Sequence, residues 1–122
     1  MSFEFDENLP IYMQIMDYIK KKIIKGEIKG GDKLPSVREL STELTVNPNT
    51  ISRAYQELER EGLTFTQRGM GTFITEDSNS IYDLKKSMAA ELVSKFVSQI
   101  RELGFNNEEV LKVIQEAMVK GE

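Results

Sequence analysis

The chain has 122 residues, enough for one domain or for one small domain with an appendage. Sixteen Lys and Arg against twenty Asp and Glu leave a net charge of −4, and 30% charged with 39% apolar residues is a globular composition, neither disordered nor collagen-like. With no cysteine and no histidine, thiol and imidazole chemistry and nitrogen–sulfur zinc sites are excluded, so neither an enzyme nor a cofactor is expected. No apolar run approaches the ~18 residues that span a bilayer, and Met1 to Pro10 lack the basic and apolar regions of a signal peptide. The expectation is a cytoplasmic chain without a membrane partner. A net charge of −4 also opposes nucleic-acid binding unless the charges are segregated in space.

Pro10 is suited to open a helix, because its missing N–H is not needed in a first turn. Ile11, Ile15, Ile19 and Ile23 recur every fourth residue, widened by Tyr12 and Met16, which predicts an amphipathic helix over about 10–25. Lys20, Lys21, Lys22 and Lys25 crowd its end, where cations suit the helix dipole and ordinarily face solvent. Gly30-Gly31-Asp32-Lys33 reads as a loop. Ser36-Val37-Arg38-Glu39 matches a capping box and starts a short helix with Val37, Leu40 and Leu44 inward. After the tight connection at Thr45-Val46, Asn47-Pro48 pairs a favoured cap with a proline at the first helical position, and Gly62 ends the third helix.

At about 100° per residue, Ile51, Ala54, Tyr55 and Leu58 share one side of this third helix, and Asn49, Ser52, Arg53, Gln56 and Arg60 share the opposite one. Glu57 and Glu61 lie outside the polar sector and Glu59 sits near its edge. The period then changes. Leu63-Thr64-Phe65-Thr66 alternates apolar and hydroxyl residues as a half-buried strand does, and Thr72-Phe73-Ile74 is a second β-prone run beyond Arg68-Gly69-Met70-Gly71, so a hairpin is expected over 63–75. Residues 76–80 read as a polar linker. Two further helices follow. Ile81, Leu84, Met88, Leu92, Phe96, Ile100 and Leu103 line the first up to Gly104, and Val110, Leu111, Ile114 and Met118 line the second.

Three helices followed by a hairpin have the order of a winged helix, with the second and third helices as its helix-turn-helix. DNA reading needs a helix that offers hydrogen-bonding groups to base edges in a groove about 12 Å wide, and Asn49, Thr50, Ser52 and Arg53 supply them. Arg suits guanine and Asn suits adenine, while Ser36 and the helix starts suit phosphates. Gln67, Arg68 and Gly69 at the hairpin tip are placed to follow the backbone or enter the minor groove. Residues 20–38 carry seven cations, Lys33 and Arg38 among them, against two acids. Over 33–75 the charges balance, so a basic face requires the acids to point elsewhere.

Pro10-Ile11-Tyr12-Met13-Gln14-Ile15, Lys33-Leu34-Pro35-Ser36-Val37-Arg38-Glu39-Leu40, Asn47-Pro48-Asn49-Thr50-Ile51-Ser52-Arg53-Ala54-Tyr55 and Glu61-Gly62-Leu63 resemble the DNA-binding domain of GntR-family bacterial transcription regulators, and Arg68 to Ile74 resemble that family's wing. The short helical tail resembles the YtrA-like subfamily. The resemblance implies that Arg38 reaches DNA from the second helix, that Asn47 to Arg53 enter the major groove, and that Gly69 lets the wing approach closely. Many relatives carry Arg at the positions of Pro48 and Ser52, so those two contacts do not carry over, and Arg53 is left to assume part of the role.

The expected fold is mainly α with a small β-hairpin: a winged helix-turn-helix domain over 1–77, then a two-helix dimerisation segment over 78–122. The expected function is a transcription regulator, a repressor, that binds a palindromic double-stranded operator as a homodimer. Its contacts are Lys33, Ser36, Arg38, Asn47, Asn49, Thr50, Ser52, Arg53, Gln67, Arg68 and Gly69. Dimerisation falls to Leu84, Met88, Leu92, Phe96, Ile100, Leu103, Val110, Leu111, Ile114 and Met118. The competing reading is a winged-helix protein-interaction module that never touches DNA, to which the negative net charge gives room. A metabolite sensor fares worse, because two helices do not readily enclose the ~300 Å³ of a small-molecule site. No dedicated effector domain is expected, and the pattern names no effector.

Overall fold

The computed structural model describes residues 4–121; the first three residues of the 1–10 segment read above for a signal peptide, and Glu122, lie outside the described residues. The element order is α1 (Ile11–Ile24), α2 (Val37–Leu44), α3 (Pro48–Arg60), β1 (Thr64–Gln67), β2 (Gly71–Ile74), α4 (Ser78–Glu102) and α5 (Asn107–Lys120). The chain divides into two compact units, one running to Lys85 and one beginning at Lys86.

In the first unit α3 packs on α1 and α2 and touches β1. The core comprises Ile15, Met16, Ile19 and Ile23 of α1, Leu40 and Leu44 of α2, and Ile51, Ala54, Tyr55 and Leu58 of α3, closed by Leu34, Leu63 and Ile74. Ile11 departs from the expected stripe and is 43% exposed. A four-residue step advances about 40° around a helix, so a row of four isoleucines drifts, and its first member turns out of the core. Leu34 is only 2% exposed although it lies outside any helix or strand.

Helix starts follow the cap chemistry. Ser36 Oγ accepts from the Glu39 N–H (3.0 Å) and Glu39 Oε1 accepts from the Ser36 N–H (2.9 Å), the reciprocal capping box. Asn47 Oδ1 accepts from the Asn49 N–H (2.8 Å), with Pro48 in the first turn. Pro10 is itself the cap of α1, one residue before the helix. The turn between α2 and α3 passes through Thr45 at φ 57°, a left-handed conformation in a β-branched residue.

The hairpin pairs Thr64 with Ile74, Phe65 with Phe73, Thr66 with Thr72 and Gln67 with Gly71. Its facing differs from the expected alternation. Thr64 is the buried member, at 4% exposure, and Phe65 faces outward, with its ring 5.7 Å from that of Phe73. The reason lies at the end of α3: Gly62 takes φ 78° and the Leu63 N–H bonds back to the Leu58 carbonyl. Leu63 thus packs as part of the helix end, and the pleat begins at Thr64. The segment expected as a plain loop also joins the sheet. Gly31 N–H donates to the Ile74 carbonyl, Ile74 N–H to Asp32 and Leu34 N–H to Thr72, each at 2.8 Å, so 31–34 lines the free edge of β2.

The polar linker is shorter than expected. Asp77 Oδ1 accepts from the Asn79 N–H (2.9 Å), and α4 begins at Ser78. In the second unit Gly104 turns at φ 89°, Asn106 and Glu109 form a second capping box, and the Arg101 guanidinium donates to Asn107 Oδ1 (2.7 Å) across the turn.

Candidate nucleic-acid interface

The two sides of α3 separate as the helical rotation requires: Ile51, Ala54, Tyr55 and Leu58 are buried, while Asn49, Arg53, Gln56 and Arg60 are exposed and Thr50 and Ser52 half-buried. Tyr55 anchors the helix, because its phenol donates to the Pro35 carbonyl at 2.7 Å. Burial, reinforced by the negative field of Glu39 and Glu43, pushes that phenol's pKa well above its ordinary value, so it stays a neutral donor. The anchor joins α3 to the residue just ahead of the α2 cap.

The acids of α3 and of its C-cap are each engaged. Glu57 pairs with Arg60 (3.1 Å), Glu61 with Lys20 of α1 (2.8 Å), and Glu59 accepts from the Thr66 hydroxyl of the wing (2.7 Å). The last bond links α3 to the hairpin. The lysine cluster of α1 is similarly occupied, with Lys21 on Asp17 (3.0 Å) and Lys22 over the Tyr18 ring (4.8 Å).

Arg53 is held differently. Its guanidinium carbon lies 3.8 Å from the centre of the Tyr12 ring, and among the described residues it pairs with no carboxylate. Tyr12 was expected only as a widening of the apolar stripe of α1; the spacing of α1 gave no sign of a partner 41 positions away. Lys33, Ser36, Arg38, Asn47 and the wing residues Gln67, Arg68 and Gly69 are all exposed. At α2, the N–H groups of Ser36 and Glu39 are committed to the capping box. The wing turn closes through Met70 N–H to Gln67 carbonyl (2.9 Å), with Gly69 at φ 78° and Met70 60% exposed beside it.

In the second unit Leu92, Leu103, Leu111 and Met118 are 60–71% exposed and Phe96 38%. Leu92, Val93, Phe96, Ile114, Ala117 and Met118 line an apolar groove of about 580 Å³ between α4 and α5. Of the expected dimerisation set, Leu84 and Val110 are buried within this chain, at 8% and 5% exposure. Leu84 falls in the first unit, and Val110 follows the Asn106 cap, which turns it inward.

The gntR family of bacterial regulatory proteins matches residues 11–74, the stretch from the start of α1 to the end of the wing. The chain belongs to that family. It is 44% identical to the HTH-type transcriptional repressor YtrA of Bacillus subtilis over 115 residues, covering 92% of this chain and 88% of that one. Among solved structures it is similar to a GntR family transcriptional regulator from Listeria monocytogenes, with a TM-score of 0.85 and 45% identity over 92% of this chain and 98% of that one. It is also similar to the AraR DNA-binding domain in complex with operator ORX1, with a TM-score of 0.54 and 32% identity over 62% of this chain and 92% of that one. This GntR-family chain is a DNA-binding transcription regulator of winged-helix fold and not an enzyme. No described helix of it is long and apolar enough to cross a membrane.

Proposed function

We propose that this chain is a repressor that binds a palindromic operator as a homodimer, with α3 in the major groove and the wing on the backbone. The observation that carries the reading is the division of α3 into a buried apolar side and an exposed side of amide, hydroxyl and guanidinium groups whose neighbouring acids are tied up. Asn49 and Arg53 are the base readers, with Thr50 and Ser52 in shorter-range support. Arg38, Ser36, Asn47 and Lys33 meet the flanking phosphates, and Gln67, Arg68 and Gly69 carry the wing contact.

One helix-turn-helix reads only a few base pairs, so a second copy supplies the rest of the site. The exposed apolar residues of the second unit favour that copy as their cover: Leu92, Phe96, Leu103, Leu111 and Met118 remain uncovered in one chain. The same patch on both chains makes an isologous interface. The kinship with a named repressor favours repression over activation.

Phe96→Glu tests the assembly. Light scattering should show twice the chain mass for the wild type and one chain mass for the variant, with unchanged helicity and much weaker operator binding. A variant that keeps the dimeric mass overturns the interface, and a wild type of single-chain mass overturns the dimer.

A further inference from the structure

We propose that Tyr12 is a positioning residue for base recognition, its ring holding the Arg53 guanidinium in place before DNA arrives. The inference rests on the reading of α3 as the base-contacting helix, and it concerns a residue of α1, outside the helix-turn-helix.

A free arginine side chain has many rotamers, and fixing them on binding costs affinity. A carboxylate would fix Arg53 equally well, but it would spend its N–H donors and cancel its charge. Arg60 and Lys20 are held in that way, by Glu57 and Glu61. The face of an aromatic ring attracts the cation through its quadrupole and leaves the edge donors, which pair with a guanine, unspent. With the guanidinium carbon 3.8 Å from the Tyr12 ring centre and no carboxylate on it among the described residues, Arg53 is both oriented and available.

The platform is itself braced. Tyr12 is half-buried in the first turn of α1, and helix ends fray unless tied. The Gln14 side chain supplies the tie: its amide donates to the Asp6 (2.7 Å) and Leu9 (2.9 Å) carbonyls, and its oxygen accepts from the Asp6 N–H (2.8 Å). The segment leading into α1 is thereby clamped to the helix. The core packing of α1 on α3 then transmits the position to Arg53.

A double-mutant cycle on the full chain tests the proposal. The probes are the duplex that the wild type enriches from a random pool and a shuffled duplex of the same composition. Tyr12→Leu should weaken the enriched duplex about two- to five-fold, the scale of one exposed cation–π contact, and leave the shuffled duplex unchanged. Tyr12→Phe, which keeps a ring face, should restore binding to within about two-fold of wild type. In an Arg53→Ala background Tyr12→Leu should cost nothing further. Independently of any variant's folding, the Arg53 Nε–H proton of the free wild type should show an upfield ring-current shift in NMR spectra.

An equal loss in both backgrounds makes Tyr12 a fold residue only and overturns the proposal. Tighter binding by Tyr12→Leu also overturns it, since the ring would then hold Arg53 away from DNA. An unshifted Nε–H proton does the same. If Arg53→Ala alone leaves the enriched duplex untouched, the reading of α3 fails together with this one; if Arg53→Ala weakens binding and Tyr12→Leu does not, this one alone fails.

Discussion

The side chain of Lys33 lies across Gly71: a Cβ built at Gly71 would meet Lys33 Cε at 2.7 Å. Gly71 also sits at φ 125°, which L side chains rarely adopt. Gly69 differs, since a Cβ there meets nothing within 4 Å and only its φ of 78° constrains it. Gly71→Ala should therefore destabilise the winged unit by about 1–3 kcal/mol and displace Lys33, lowering DNA affinity as well. Gly69→Ala should cost less stability, about 1 kcal/mol, and any loss of DNA affinity beyond that reports close approach of the wing. Urea denaturation with parallel anisotropy titrations separates the two, and equal stabilities would refute the distinction.

Thr45 is the one non-glycine residue with positive φ among those described, and it is exposed at the turn between α2 and α3. A β-branched side chain there is strained, whereas Asn tolerates the left-handed region. Thr45→Asn should stabilise the chain by about 1 kcal/mol with the helix-turn-helix geometry unchanged. A lower midpoint of unfolding would show that the threonine serves the turn in some other way.

Thr64 is buried at the start of β1, and its hydroxyl oxygen has no hydrogen-bond partner among the described residues. A buried hydroxyl left unpaired is a penalty that a methyl group of similar shape removes. Thr64→Val should raise stability by about 1 kcal/mol, and a destabilised variant would mean that the hydroxyl is in fact satisfied.

Glu39 carries a pH signature. Its bonds to the Ser36 backbone and side chain hold its carboxyl below the usual carboxylate range. A depressed folded-state pKa stabilises the fold above the unfolded value, and that stability disappears as pH falls through the folded value. Glu39→Ala should therefore lower the melting temperature at neutral pH, with the gap to wild type closing in acid. A gap independent of pH would assign the loss to helix propensity instead of the cap.

Much of this was legible because helix ends are written locally. Ser36 with Glu39 and Asn47 with Pro48 each satisfy end groups within four residues, so the starts of α2 and α3 can be read from side-chain chemistry. The two sides of α3 followed from rotation alone. What was hidden is non-local. The pairing of 31–34 with β2 depends on backbone groups that carry no pattern, and the inward turn of Thr64 follows from the end of the preceding helix. Tyr12 under Arg53 and Thr66 on Glu59 depend on packing between elements, and no periodicity within one helix encodes them.

The central claim, that two copies of α3 read two related half-sites, is tested most directly by selection of bound sequences from random duplex DNA with the wild-type chain. The expected result is one enriched motif of two inverted half-sites whose centres lie about one DNA turn, roughly 10 base pairs, or a multiple of it apart. Enrichment of no motif, or of a single unpaired half-site, would contradict the account.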